Sequence, residues 1–169
     1  ALPTYVVTEL PPPAPATENP IERIRQSGVL RVGFAQERLP FSFLNAQKQL
    51  VGMDVELAGN LGLALGVTKL MFVQIPADKL VETLANGNVD VLMSLPYQWD
   101  SLKTLHHSGS YFDTVIGLAV HDKDRYQFKS IEDMRKRKKL TLGRSVDDIG
   151  LEQIVKNRLK GIDLTIVEL

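Results

Sequence analysis

The sequence predicts an α/β protein of mostly parallel sheets with flanking helices, built as two lobes of which the second is incomplete. Three observations carry that reading. Short apolar strands alternate with helical segments from residue 20 onward, the pattern that strand–helix crossovers give in a parallel sheet. The alternation restarts after His121, which argues for a second lobe. It then stops at Leu169 with too few elements to close that lobe. The expected division is an N-terminal extension over 1–19, a first lobe over 20–112, and a hinge with a partial second lobe over 113–169.

Taken in order, the first candidate element is Tyr5-Val6-Val7, a short strand or the tail of something upstream. Pro11-Pro12-Pro13-Ala14-Pro15 follows. Proline fixes φ and removes a donor, so this stretch is expected to be an extended spacer rather than part of a sheet. It reads either as a linker from a preceding module or as a disordered N-terminus. Asn19 is placed to cap a helix with Pro20 at its first position, and Gly28 ends it. Val29–Phe34 alternates as a strand, and segments 41–44 and 49–52 flank a polar turn as a loose hairpin. Met53–Leu65 sets Leu57, Leu61, Ala64 and Leu65 on a helical face closed by Gly66.

A strand over 70–75 leads to a helix over 77–85, stopped by Asn86-Gly87-Asn88. A buried strand over 89–93 ends at Pro96, and a short polar element covers 99–105. The apolar segment 111–121 is long enough to cross between two lobes. Beyond it, helices over 130–137 and 147–159 alternate with strands over 140–143 and 164–167.

Composition removes several classes of function. At 169 residues the chain can bury one good core or two small ones. Lys+Arg and Asp+Glu are both 20, and so even a balance does not favour nucleic acid, whose binding needs clustered cations. No cysteine is present, which excludes disulfides, thiolate metal sites and a Cys nucleophile. No apolar run approaches the roughly 20 residues that span a bilayer. The chain starts at Ala1-Leu2-Pro3 without a charged region followed by an apolar stretch, so it reads as a mature form or an excised domain. His106-His107 would point apart in an extended segment and has no third ligand at metal spacing. The run Arg135-Lys136-Arg137-Lys138-Lys139 sits at a helix end, where cations complement the dipole, and reads as a solvated turn ahead of a lipid- or partner-docking patch.

Leu30-Arg31-Val32-Gly33-Phe34, Pro40-Phe41-Ser42-Phe43 and Leu50-Val51-Gly52-Met53-Asp54-Val55-Glu56-Leu57-Ala58 resemble, in order and spacing, the opening of bacterial extracellular solute-binding family 3, the amino-acid type. The similarity continues through 85–92, 108–112, 131–134 and 138–140, and so covers nearly everything from residue 21 onward. The resemblance implies the type 2 periplasmic-binding-protein, or Venus-flytrap, fold. Two α/β lobes close over a ligand held at strand ends and helix N-termini, which accords with the crevice rule for open α/β sheets.

The same resemblance implies the site. An aromatic near the Pro-Phe-Ser-Phe segment covers the ligand, which brings Phe41 and the neighbouring Glu37, Arg38 and Leu39 into range; Phe41 reads equally as a core ring. Glu37 and Arg38 form a charge pair able to orient a zwitterion, or a solvated loop. Ser94, Leu95, Tyr97 and Trp99 belong to the loop that in the family supplies carbonyls and a hydroxyl, its two aromatics forming a stacking wall or packing under the loop. The family's Thr-x-x-Arg carboxylate clamp is missing: Ser101 or Leu102 stands at the place of the Arg, and Lys103 substitutes only as a point charge. In the second lobe Ser145 is kept as a helix cap and donor, while Asp147 and Asp148 put negative charge where a carboxylate would dock.

The expected function is therefore extracytoplasmic binding of a small polar, amino-acid-like solute for delivery to a membrane transporter, with no cofactor, no metal and no nucleic-acid partner. A ligand-sensing or regulatory domain fused to a membrane receptor or transporter is the alternative, mildly favoured by the proline segment. An enzyme on the same fold ranks third, with Glu37, Asp100 and Asp147 as its acid–base candidates. If the second lobe is truly incomplete, its open strand edges predict a dimer.

Overall fold

The structure, a computed structural model, describes residues 3–16, 19–35, 38–96, 103–113, 115, 117–144 and 151–169. The chain divides into two compact units, Ala1–Leu95 and Pro96–Leu169, a boundary that falls ahead of the 112/113 division expected from the sequence.

The first unit is a four-stranded sheet in the order β1-β5-β2-β6, every pairing parallel. Its centre is β2 (Val29–Phe34), flanked by β5 (Lys69–Gln74) and by the short β6 (Val91–Leu92). A strand covered on both faces needs a continuous apolar run, and β2 is buried from Leu30 to Phe34. The one cation in that run, Arg31, is discharged on Asp90: Nε donates to Oδ2 at 3.0 Å and Nη2 to Oδ1 at 2.5 Å. The Arg31 backbone N–H donates to Oδ2 at 2.9 Å, and Arg23 adds a fourth bond to the same carboxylate at 2.6 Å.

Helix α1 (Pro20–Ser27) begins as its sequence specifies, with Asn19 Oδ1 accepting from the Glu22 N–H at 3.1 Å. It stops at Gly28, whose left-handed φ of 68° lets its N–H reach back to the Ile24 carbonyl. Helix α2 (Met53–Leu65) ends the same way at Gly66, and α3 (Leu80–Ala85) follows a 3-10 turn over Ala77–Lys79. Ile24, Leu30, Val32, Phe34, Leu50 and Phe72 are among the residues that close the core between helices and sheet.

The outermost strand is β1 (Thr4–Thr8), which answers the open question about Tyr5-Val6-Val7. It pairs with β5 from Thr4↔Lys69 to Thr8↔Val73. The proline segment after it is not a free spacer. Pro11 accepts a hydrogen bond from Asn88 Nδ2 at 2.8 Å, and the Ala14 N–H donates to the Gly87 carbonyl at 2.9 Å. A two-residue hairpin, β3 (Phe43–Leu44) with β4 (Leu50–Val51), completes the unit.

The second unit contains a parallel pair, β7 (Lys139–Arg144) and β8 (Asp163–Glu168), with α4 (Ile131–Arg135) and α5 (Leu151–Arg158). Its core gathers Met134, Leu140 and Leu159 with Phe128, Ile131, Val155 and Leu164. Ser130 caps α4 through its hydroxyl, which accepts from the Asp133 N–H at 3.1 Å. The described residues of 111–121 form no helix or strand and lead into a 3-10 helix over Asp122–Phe128 that sequence patterning did not anticipate.

Candidate functional site

In a parallel sheet all strand carboxyl ends lie on one side, and in the first unit Ser94, Asp54 and Arg38 are joined there. The Met93 N–H donates to the Gly33 carbonyl at 3.1 Å, which brings the end of β6 beside the end of β2. Ser94 follows with a φ of 58°, a left-handed conformation uncommon outside glycine. Such outliers persist where surrounding bonds hold them, and Ser94 is held from both of its polar ends. Its hydroxyl donates to Asp54 Oδ2, and its carbonyl accepts from Arg38 Nη1 at 2.9 Å.

Asp54 stands in the first turn of α2, where a carboxylate is favoured by the helix dipole, and it is only 1% exposed. Its own N–H donates to the Phe41 carbonyl at 2.9 Å, and the Met53 N–H to the Pro40 carbonyl at 3.1 Å. Those two bonds clip a tight turn onto the start of α2. Within the turn the Arg38 N–H donates to the Ser42 carbonyl at 2.7 Å, and the Arg38 carbonyl accepts from Phe41 and Ser42. The Leu39–Pro40 peptide is cis. Gly52 makes the close approach feasible: its φ is 130°, and a Cβ there would lie 2.2 Å from the Phe41 oxygen.

Two consequences follow for ligand chemistry. The first N–H groups of α2 are consumed by Pro40, Phe41 and the helix itself, with Asp54 beside them, so this helix start is not the carboxylate dock. Among the described residues the cation at this edge is Arg38. Its Cζ lies 6.0 Å from the Phe41 ring centroid, and after the bond to Ser94 its remaining N–H donors have no acceptor among the described residues. A guanidinium fork beside a half-buried aromatic ring can take a carboxylate bidentately and cover an apolar side chain.

Of the residues expected from the sequence, Phe41 and Ser94 meet at this edge, and Leu95 follows Ser94 half-buried. Lys103 lies exposed in the second unit. Glu37, Tyr97, Trp99, Ser145 and Asp147 lie outside the described residues, as do Asp100, Ser101, Leu102 and Asp148. Asp54 was not singled out by sequence reasoning. The signal for it was an acidic residue two places after a glycine at a helix start. Ser42, buried at the turn, was equally missed.

Among the described residues no group of His, Asp and Glu is placed to hold a metal ion, and no helix is long and apolar enough to cross a membrane. The basic run of the second unit is partly committed to local contacts. Arg135 donates to the Arg158 carbonyl at 3.1 Å, Lys136 pairs with Asp133 at 2.6 Å, and Arg137 stacks on Phe128 at 4.7 Å.

The chain matches the family model of bacterial extracellular solute-binding proteins, family 3, over residues 30–165. It is similar to membrane-bound lytic murein transglycosylase F of Salmonella typhi, 32% identical over 116 residues, which are 68% of this chain and 24% of that protein. It thus spans about a quarter of the length of that curated relative. Among solved structures it is similar to an ancestral amino-acid-binding protein described as a precursor of cyclohexadienyl dehydratase. That likeness has a TM-score of 0.71 at 26% identity, covering 89% of this chain and 65% of the other. It is also similar to a point mutant of the arginine-bound form of domain 1 from TmArgBP, with a TM-score of 0.51 at 33% identity, covering 55% of this chain and 72% of that one. The α/β units, their parallel strands and the matched motifs are those of the type 2 periplasmic binding proteins, and the chain belongs to the bacterial extracellular solute-binding proteins of family 3.

Proposed function

We propose that this chain binds a small amino-acid-like solute at the carboxyl edge of the first unit's sheet, outside the cytoplasm, with Arg38 taking the ligand carboxylate and Phe41 covering its side chain. The observation that carries this reading is the Arg38 fork, held by the Ser94 carbonyl and set against the Phe41 ring. Arg38 thereby stands in for the clamping arginine that the sequence lacks at 101–102. The arginine-bound state of a similar isolated first domain supports a site built from one lobe. Delivery of the solute to a membrane transporter is the cellular role that membership of the family suggests.

A second role, as a ligand-sensing module within a larger membrane-associated protein, is favoured by one observation: the matched region is only a quarter of a membrane-bound relative. Catalysis is not part of the proposal: among the described residues the carboxylate at this edge, Asp54, is buried and bonded by Ser94.

Titration calorimetry with L-arginine, other amino acids and small carboxylates tests the binding. Saturable heat with an α-amino acid, lost in Arg38→Ala, is the expected result. No heat with any of them overturns the reading, and turnover of a cyclohexadienyl substrate would replace it with an enzymatic one. Uptake of the labelled ligand by cells with and without the protein separates transport from sensing.

A further inference from the structure

Residues 3–16 precede the stretch that matches the family, yet they are built into the first unit. The segment is pinned at successive points by the β1–β5 ladder, by Asn88 on Pro11 and by Ala14 on Gly87. One side chain reaches further. The Tyr5 ring stands edge-on to Phe72 with centroids 5.8 Å apart, and its hydroxyl donates to the Leu50 carbonyl at 3.0 Å.

That carbonyl belongs to β4, the strand that delivers Gly52. The hairpin around it is thin, with only the pairs Phe43↔Val51 and Leu44↔Leu50, and so short a ribbon is marginal by itself. Leu50 is 1% exposed, so its backbone oxygen needs a protein donor as the side chain is sealed into the core. Two residues on, Gly52 abuts the Phe41 carbonyl, and the next two N–H groups hold Pro40 and Phe41. A continuous path of direct contacts therefore runs from the Tyr5 hydroxyl through Leu50 and Gly52 to the Arg38–Phe41 turn.

We infer that Tyr5 is a positioning residue for the solute site: it fixes the β4 backbone, and through it the turn that presents Arg38 and Phe41. The N-terminal segment is then a working part of the binding lobe. The inference deepens the amino-acid-binding reading and rests on it for the affinity measurement alone.

The variant Tyr5→Phe keeps the ring and its contact with Phe72 and removes only the donor. Amide hydrogen exchange on the ligand-free protein reads the hairpin without reference to any solute. Exchange at Met53 and Asp54 is expected to rise about fivefold, the worth of one net hydrogen bond, while the β2 amides of Leu30 and Val32 stay at wild-type rates. The affinity for L-arginine is expected to fall by a similar factor. Wild-type exchange at Met53 and Asp54 would overturn the inference. So would a uniform rise across β2 and the hairpin, since that is the mark of a merely stabilising residue. If the wild-type protein binds no amino acid, the amino-acid reading fails, while the exchange pattern still decides whether Tyr5 holds the hairpin.

Discussion

The guanidinium of Arg38 and the backbone carbonyl of Ser94, 56 residues apart in sequence, are joined by a hydrogen bond of 2.9 Å. The bond ties the turn before the hairpin to the loop after β6, so one side chain bridges the two segments that border the candidate site. It also orients the guanidinium, whose other N–H donors meet no acceptor among the described residues.

Arg38→Lys separates charge from geometry. Lysine keeps the cation but offers a point charge in place of two parallel donors. Affinity for the amino acid that the wild type binds is expected to fall about tenfold in Arg38→Lys and about a hundredfold in Arg38→Ala, the range that charge-assisted hydrogen bonds are worth. Calorimetric titration measures both. Wild-type affinity in Arg38→Lys would show that the fork is not what holds the carboxylate.

Gly52→Ala tests the clip beneath that turn. The added Cβ would meet the Phe41 oxygen at 2.2 Å on a backbone with φ of 130°. Overlap with main chain cannot be relieved by a rotamer change, so a loss of about 3 kcal/mol is expected in urea unfolding. A change below about 0.5 kcal/mol would mean that the turn relaxes freely.

Much of the scaffold was legible in the sequence because its signals are local. Asn19, Pro20 and Gly28 bound α1, and Gly66 ends α2, since caps act on the backbone beside them. The site was legible only in part. Phe41 and Ser94 were reached through motif resemblance, and Arg38 was named beside Glu37, as a charge pair able to orient a zwitterion or as part of a solvated loop. Its partnership with Ser94 is a tertiary contact without periodicity or spacing to betray it. Strand β1 was ambiguous for another reason: Tyr5, Val6 and Val7 are all substantially exposed on an edge strand, so no alternation marks a buried face. The proline segment misled because composition reports a lack of donors, whereas its carbonyls remain free to accept from Asn88.

Ser94→Ala removes the hydroxyl that donates to the buried Asp54 carboxylate. A buried charge deprived of a donor is costly, so about 2 kcal/mol of destabilisation is expected. In the Asp54→Asn background the same substitution should cost less, because the neutral amide depends less on that donor. A double-mutant cycle by urea unfolding should give a coupling of about 1 kcal/mol, and strict additivity would place the two groups out of contact.

Asp90 supplies a pH-dependent prediction. Its side chain is 2% exposed, and burial by itself would raise its pKa. The hydrogen bonds from Arg31 and Arg23 outweigh that and hold the carboxyl below the ordinary carboxylate value. A group depressed by folding contributes its full stability above its unfolded pKa and loses it as pH falls through the folded one. Asp90→Asn leaves two arginines without their charge partner and is expected to cost about 3 kcal/mol at neutral pH. The gap between wild type and Asp90→Asn should hold steady from about pH 8 to about pH 5 and close below about pH 4, where the protonated acid comes to resemble the amide. Urea unfolding of both proteins across that range measures it. A gap that persists undiminished in acid would assign the cost of the substitution to packing or hydrogen-bond geometry and not to the carboxylate's charge.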